Sequence, residues 1–327
     1  MVHEPREPSV RSRYAGCVAV ARGRVLAGCL FWGSFVAACG APTSPPAPGA
    51  TKVAAGAPPT DLVYDRVVRG NKDLYVTPAD GGPERRLTDD PASDMLPRWT
   101  RDGRALIFSS ERSGNWQLWK MPADGGLPRR LRSNAWTEWQ ADASPDGRAL
   151  AFLSNRDGPE SLWLEDAGPG KERLLVRHGP RSILGNPHWS PDSREIVFSS
   201  NWSVGHQIFV VDAATGAQRR LSGVLSGGCE PRFGPDGRHV VHVTRGHHLP
   251  TSRVVETDLA TGAEKVLIAW PALNYDPVYS PDGSEIAFAS DITGENQIYR
   301  VRLSDGKTWR VTSGPGPARN PDYRPRR

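Results

Sequence analysis

Five aspartates stand in near-identical settings: Asp102, Asp146, Asp192, Asp236 and Asp282. The sequence around them reads Thr-Arg-Asp-Gly once, Ser-Pro-Asp-Gly twice, Ser-Pro-Asp-Ser once and Gly-Pro-Asp-Gly once. Such a carboxylate could hold a hard cation or move a proton. Ser-Pro-Asp-Gly also fits a type I turn, with Pro setting φ at the second place and Gly at the fourth. Catalysis would need one copy to differ from the rest. All five share one geometric setting, so the Asp is read as a turn former.

A second set is variable, which is what recognition requires. Just before each expected innermost strand stand Leu96, Gln140, Asn186, Glu230, Asp276 and Asn320. Five are polar and two are acidic. They are expected to ring one mouth of a central channel, binding a protein partner, a sugar or calcium through oxygen ligands, or capping strand ends. His188 lies beside Asn186. His242 occupies a slot that is Phe in four other repeats and is expected in the core. His247 and His248 are adjacent, so in an extended segment they point apart and make a poor metal pair. No Gly-x-Ser-x-Gly elbow, P-loop or dinucleotide fingerprint occurs. No catalytic residue, metal or cofactor is assigned.

These side chains need a scaffold that repeats. The turn aspartates are spaced 44, 46, 44 and 46 residues apart. An aliphatic–aromatic pair keeps the same period at Leu74-Tyr75, Leu118-Trp119, Leu162-Trp163, Ile208-Phe209 and Ile298-Tyr299, with Val254-Val255 as the departure. Each unit of about 45 residues reads as four short strands with turn residues at the junctions, the size of a propeller blade. The segment from Asp61 lacks a first strand, and the stretch Asn320 to Arg327 supplies one. The expected fold is therefore all-β: a six-bladed β-propeller of four-stranded blades, closed by pairing of N- and C-terminal strands in one blade, with Tyr64 in the slot of Phe108. Such closure removes two open sheet edges.

The Pro-Asp-Gly turn, the "IAF" and "IVF" strands that follow it and the "ADGG" hairpins resemble the TolB-like propeller repeat, over residues 61–327. The resemblance implies a periplasmic protein of the cell envelope, with partners of the Tol–Pal kind. TolB carries a small N-terminal α/β domain ahead of its propeller. Here a tether stands in that place, so the resemblance is to the module.

The N-terminal region reads as an export signal. A basic stretch precedes the 14-residue apolar run Val25 to Ala38, too short for a comfortable membrane span. "VAACG" resembles a lipobox, which implies cleavage before Cys39 and lipidation of its sulfur. The expected division is 1–38 signal peptide, 39–60 Pro/Ala/Gly-rich tether and 61–327 propeller. The formal charge of +5 resides largely in the signal, leaving 36 basic and 34 acidic residues, with no argument for nucleic acid. With Cys17 and Cys29 leaving with the signal and Cys39 lipidated, Cys229 has no second cysteine to meet and no internal disulfide is expected.

The functional expectation is a monomeric, lipid-anchored binding scaffold on the periplasmic side of the envelope, on the outer rather than the inner membrane, serving a protein partner. The alternative is a carbohydrate-binding protein or a metal-dependent lyase or hydrolase that uses His188, Glu230 and Asp276. Loop tryptophans off the core register (Trp116, Trp136, Trp139, Trp202 and Trp270) are candidate contact points.

Overall fold

The computed structural model describes residues 61–166, 170–202, 205–221, 227–244 and 250–326. The expected signal segment, Cys39, the expected tether and the His247–His248 pair lie outside them. The described chain is six four-stranded antiparallel sheets and contains no helix. The first strands are Ala318–Tyr323 in blade I, Asp94–Trp99 in II, Glu138–Ala143 in III, Leu184–Trp189 in IV, Cys229–Phe233 in V and Asn274–Tyr279 in VI. They neighbour one another all the way round and surround the channel.

The second strands, such as Glu195–Ser200 (EIVFSS) and Glu285–Ser290 (EIAFAS), are rich in β-branched and aromatic residues and almost wholly buried. Their pairing with the third strands puts aromatic rings opposite each other at Tyr64/Tyr75, Phe108/Trp119, Phe152/Trp163, Phe198/Phe209 and Phe288/Tyr299. In blade V the same rung is His242/Val255. His242 is fully buried and its Nε2 meets Thr257 Oγ1 at 2.9 Å, as a core residue. The apolar clusters lie between blades: Phe152 and Trp163 of blade III, for example, pack on Ile107 and Leu118 of blade II. Fourth strands such as Gln218–Arg220 are exposed.

Blade I closes the ring. Leu62 and Val63, in its second strand Asp61–Val68, pair with Tyr323 and Asp322. Glu84 clasps the seam: its Oε1 accepts the Ser313 and Gly314 N–H groups at 2.8 and 2.9 Å, while Tyr64 and Arg66 hold its other oxygen.

The aspartate turns are structural, as their uniformity implied. In the turn at Ser144, Gly147 N–H donates to the Ser144 carbonyl at 2.9 Å, and Asp146 Oδ1 accepts from the Ser144 hydroxyl and the Arg148 N–H at 2.6 and 3.0 Å. The same bonds recur at Asp192 and Asp282. These donors hold the Asp146 carboxyl below the usual carboxylate range.

Candidate functional site

The six variable residues do not precede the first strands; they sit inside them. Each occupies a register shift in the pairing of first and second strands, as between Met95 and Arg98 or Trp139 and Asp142. Each is left-handed, with φ of 58° at Leu96, 49° at Gln140, 55° at Asn186, 57° at Glu230, 50° at Asp276 and 56° at Asn320. A bulge of this kind turns one N–H out of the ladder, and a buried N–H needs an acceptor.

The preceding blade supplies it. Gln140 Oε1 accepts the Asn186 N–H at 2.7 Å, Glu230 Oε2 the Asp276 N–H at 2.7 Å and Asp276 Oδ2 the Asn320 N–H at 3.1 Å. Asp65 Oδ2 accepts the Leu96 N–H at 3.1 Å, and Ser109 Oγ the Gln140 N–H at 3.2 Å. Asn320 Nδ2 also donates to Asp65, at 2.6 Å. Glu230 and Asp276 are further engaged by the Arg319 guanidinium at 3.2 and 2.7 Å, which lies 3.8 Å from the Tyr275 ring centre. This ring staples blade to blade, and its two carboxylates already hold a cation.

Two residues further along each first strand comes a second ring: Arg98, Asp142, His188, Arg232, Val278 and Asp322. It lies nearer the Pro-Asp-Gly turns, and four of its members, Asp142, His188, Val278 and Asp322, border a cavity of about 250 Å³ at the turn-side mouth of the channel. Asp142, His188 and Asp322 line it, with turn prolines 145, 191, 235, 281 and 325 as the rim and Arg101 and Arg326 at the entrance. Glu230 and Asp276 do not line it. The residues named together for a metal or lyase site are therefore separated: only His188 faces this cavity. Among the described residues, no three His, Cys, Asp or Glu side chains are gathered as metal ligands.

Each of the three lining groups has one atom committed to the neighbouring blade. Asp142 Oδ2 accepts the Trp189 N–H at 2.8 Å, Asp322 Oδ2 the Trp99 N–H at 2.9 Å, and His188 Nδ1 the Phe233 N–H at 3.1 Å. An imidazole that accepts at Nδ1 carries its proton on Nε2 when neutral. Burial pushes the Asp142 carboxyl up to about 6, against the pull of the Trp189 N–H and of Arg98 and Arg101. Asp322 also rises to about 6 through burial, with Asp142 adding to the rise and Arg98 opposing it. Burial lowers His188 to about 4. Neither aspartate has an ion-pair partner within 4 Å among the described residues. Perturbed groups converging on a cavity are the usual signature of a working site.

Sequence reasoning missed Asp142 and Asp322, although a signal was present. His188 had been singled out, and stepping the 44- and 46-residue period from it lands on Arg98, Asp142, Arg232, Val278 and Asp322. The tryptophan reading is also corrected in part. Trp116 and Trp139 are buried, and Trp270 packs edge-on to Phe288 and Tyr299, each at 5.1 Å between ring centres. Trp136 and Trp202 are exposed, at 48% and 58%. Trp202 stacks on His178, with ring centres 4.6 Å apart.

Comparison with known proteins gives a consistent family. The model of the TolB beta propeller domain matches residues 56–179, 139–268 and 178–327. Among solved structures, TolB from Acinetobacter baumannii is similar at 18% identity and a TM-score of 0.73, over 82% of this chain and 67% of that one. A putative TolB from Agrobacterium tumefaciens shares 18% identity over 81% of this chain and 92% of its own, with a TM-score of 0.61. An oligogalacturonate lyase from Vibrio parahaemolyticus aligns at 16% identity and a TM-score of 0.52, over 79% and 75%. At such identities the likeness is one of fold.

Proposed function

This chain belongs to the family of the TolB beta propeller domain, and on that premise we propose that it is an envelope lipoprotein whose propeller is a binding scaffold, with the turn-side mouth as its working surface. The observation that carries this reading is the pair Asp142 and Asp322. The fold does not require acceptors at their position, since the same place holds Arg98, Arg232 and Val278 in other blades. Two carboxylates held near a pKa of 6 by burial are costly, and costly polar groups in a concave site favour a ligand-binding role.

The partner is proposed to be an envelope protein of a Tol–Pal-like or transport assembly, met on the periplasmic side of the membrane. The lipid anchor at Cys39 rests on the lipobox resemblance. The protein should be tested by affinity capture from envelope extracts, with the Asp142→Asn, Asp322→Asn double variant as control. Capture of a discrete protein by wild type, weakened at least tenfold in the variant, supports the scaffold. Recovery of no protein, together with tight binding or turnover of a saccharide, overturns it. Cys39→Ser should abolish labelling by radioactive palmitate, and persistent labelling would remove the anchor from the reading.

A further inference from the structure

The turn-side cavity is chemically polarised. Its floor carries Asp142 and Asp322, each with one carboxylate oxygen spent on a backbone N–H and neither in an ion pair within 4 Å among the described residues. Its lining also includes the exposed Arg101 and Arg326, the second already paired with Asp282 at 3.2 Å. Between them His188 holds its proton on Nε2, because Nδ1 accepts from Phe233. At about 250 Å³ the cavity is smaller than the roughly 300–1,000 Å³ of drug-sized pockets, so it suits one amino-acid-sized group. Trp99, Trp189, Phe233 and Tyr279 line the same space, and apolar walls beside a charge strengthen its interactions.

We propose that this cavity binds a zwitterion of amino-acid size, its ammonium seated between Asp142 and Asp322 and its carboxylate turned outward to Arg101 and Arg326. The ligand is either a free amino acid or the C-terminal lysine of a partner peptide, whose side-chain ammonium and terminal carboxylate supply the two charges. The site is the one used by the scaffold reading, but the inference stands without a protein partner. Arg98 is buried and acts on both aspartates without an ion pair within 4 Å among the described residues, so an ammonium adds a direct counter-charge. His188 is neutral at pH 7 and offers a hydrogen bond to a ligand oxygen.

The test is calorimetric titration of the purified protein with three probes of matched length: 6-aminohexanoate, hexylamine and hexanoate. The zwitterion should bind tightest, hexylamine about tenfold more weakly, and hexanoate not measurably. Asp142→Asn should weaken 6-aminohexanoate about tenfold and leave the melting profile cooperative. Arg101→Ala should erase the advantage over hexylamine while leaving hexylamine unchanged. Affinity should fall severalfold from pH 7.5 to pH 5, as Asp142 and Asp322 take up protons beside Arg98, Arg101 and His188. A pentapeptide ending in lysine that binds better than free lysine assigns the site to a partner, and the reverse order assigns it to a free ligand. Equal or tighter binding of hexanoate overturns the proposal, as does binding indifferent to Asp142→Asn. Failure of all the probes, with capture of an envelope protein intact, overturns this inference and leaves the scaffold reading standing.

Discussion

Asp142 is a residue whose cost can be measured. The residue is only 9% exposed and its pKa is near 6, against about 3.8 unfolded. A carboxyl whose folded pKa is raised stabilises the fold when protonated, and that contribution is lost as pH rises through 6. Asparagine in its place keeps an oxygen for the Trp189 N–H and carries no charge. Asp142→Asn is therefore expected to raise stability at pH 7.5 by about 1–3 kcal/mol. Chemical denaturation at pH 7.5 and at pH 4 checks this, since the gain should vanish at the lower value. His188 and His242 pull the other way. Both are held near 4, against 6.5 unfolded, so the stability of their neutral forms is complete above 6.5 and lost as pH falls toward 4. The opposing slopes overlap between 4 and 6.5. Removing one carboxyl should expose the histidine slope, so thermal melts of Asp142→Asn should fall with acid more steeply than those of wild type.

At the scale of the strand, the left-handed bulge is the element that matters. Glu230 supplies an acceptor for the Asp276 N–H and a counter-charge for Arg319. Glu230→Ala should cost about 2–4 kcal/mol, because it leaves a buried N–H without its acceptor and removes one of the two carboxylates on Arg319. Glu230→Gln, which keeps the acceptor, should cost roughly 1 kcal/mol. Urea midpoints of the two variants separate the bond from the charge. This bulge also marks where the sequence stopped being readable. Turns, strands and aromatic rungs follow residue type directly, so Phe152, Trp163 and the Pro-Asp-Gly turns were placed correctly. A positive φ is signalled by Gly or Asn, and Leu96, Gln140 and Glu230 carry no such mark. Alternation puts residues two apart on one face, but it does not show that a bulge gives the first of each pair to the neighbouring blade and the second, in four blades, to the cavity. The residues with the staple role were therefore assigned to recognition, and those with the cavity went unnamed except His188. Trp139 was misplaced for a similar reason: it precedes the bulge, off the aromatic rung, and is buried there all the same.

For the whole molecule, closure was legible because it is arithmetic: a segment lacking a first strand and another supplying only that strand add up to one blade. The seam is then both a structural and a functional join, since the closing strand Ala318–Tyr323 brings Asp322 to the cavity and Arg319 to the staple ring. Removing residues 318–327 should expose the edge of Asp61–Val68, broaden the thermal transition and produce oligomers by size-exclusion chromatography. Full-length protein should unfold in one cooperative step. A truncated form that stays monomeric and cooperative would show that the ring does not need its closing strand.

The same seam makes one rung serve two purposes. The Asp61 carbonyl accepts the Arg324 N–H at 2.8 Å, and Arg326, two residues further on, borders the mouth. The two ends of the described ring thus meet at the cavity's edge, so the last rung of the clasp is also part of the doorway. Fraying there would slacken the mouth while leaving the other five blades shut, and hydrogen exchange at the Arg324 amide therefore reports on the opening as well as on the seam.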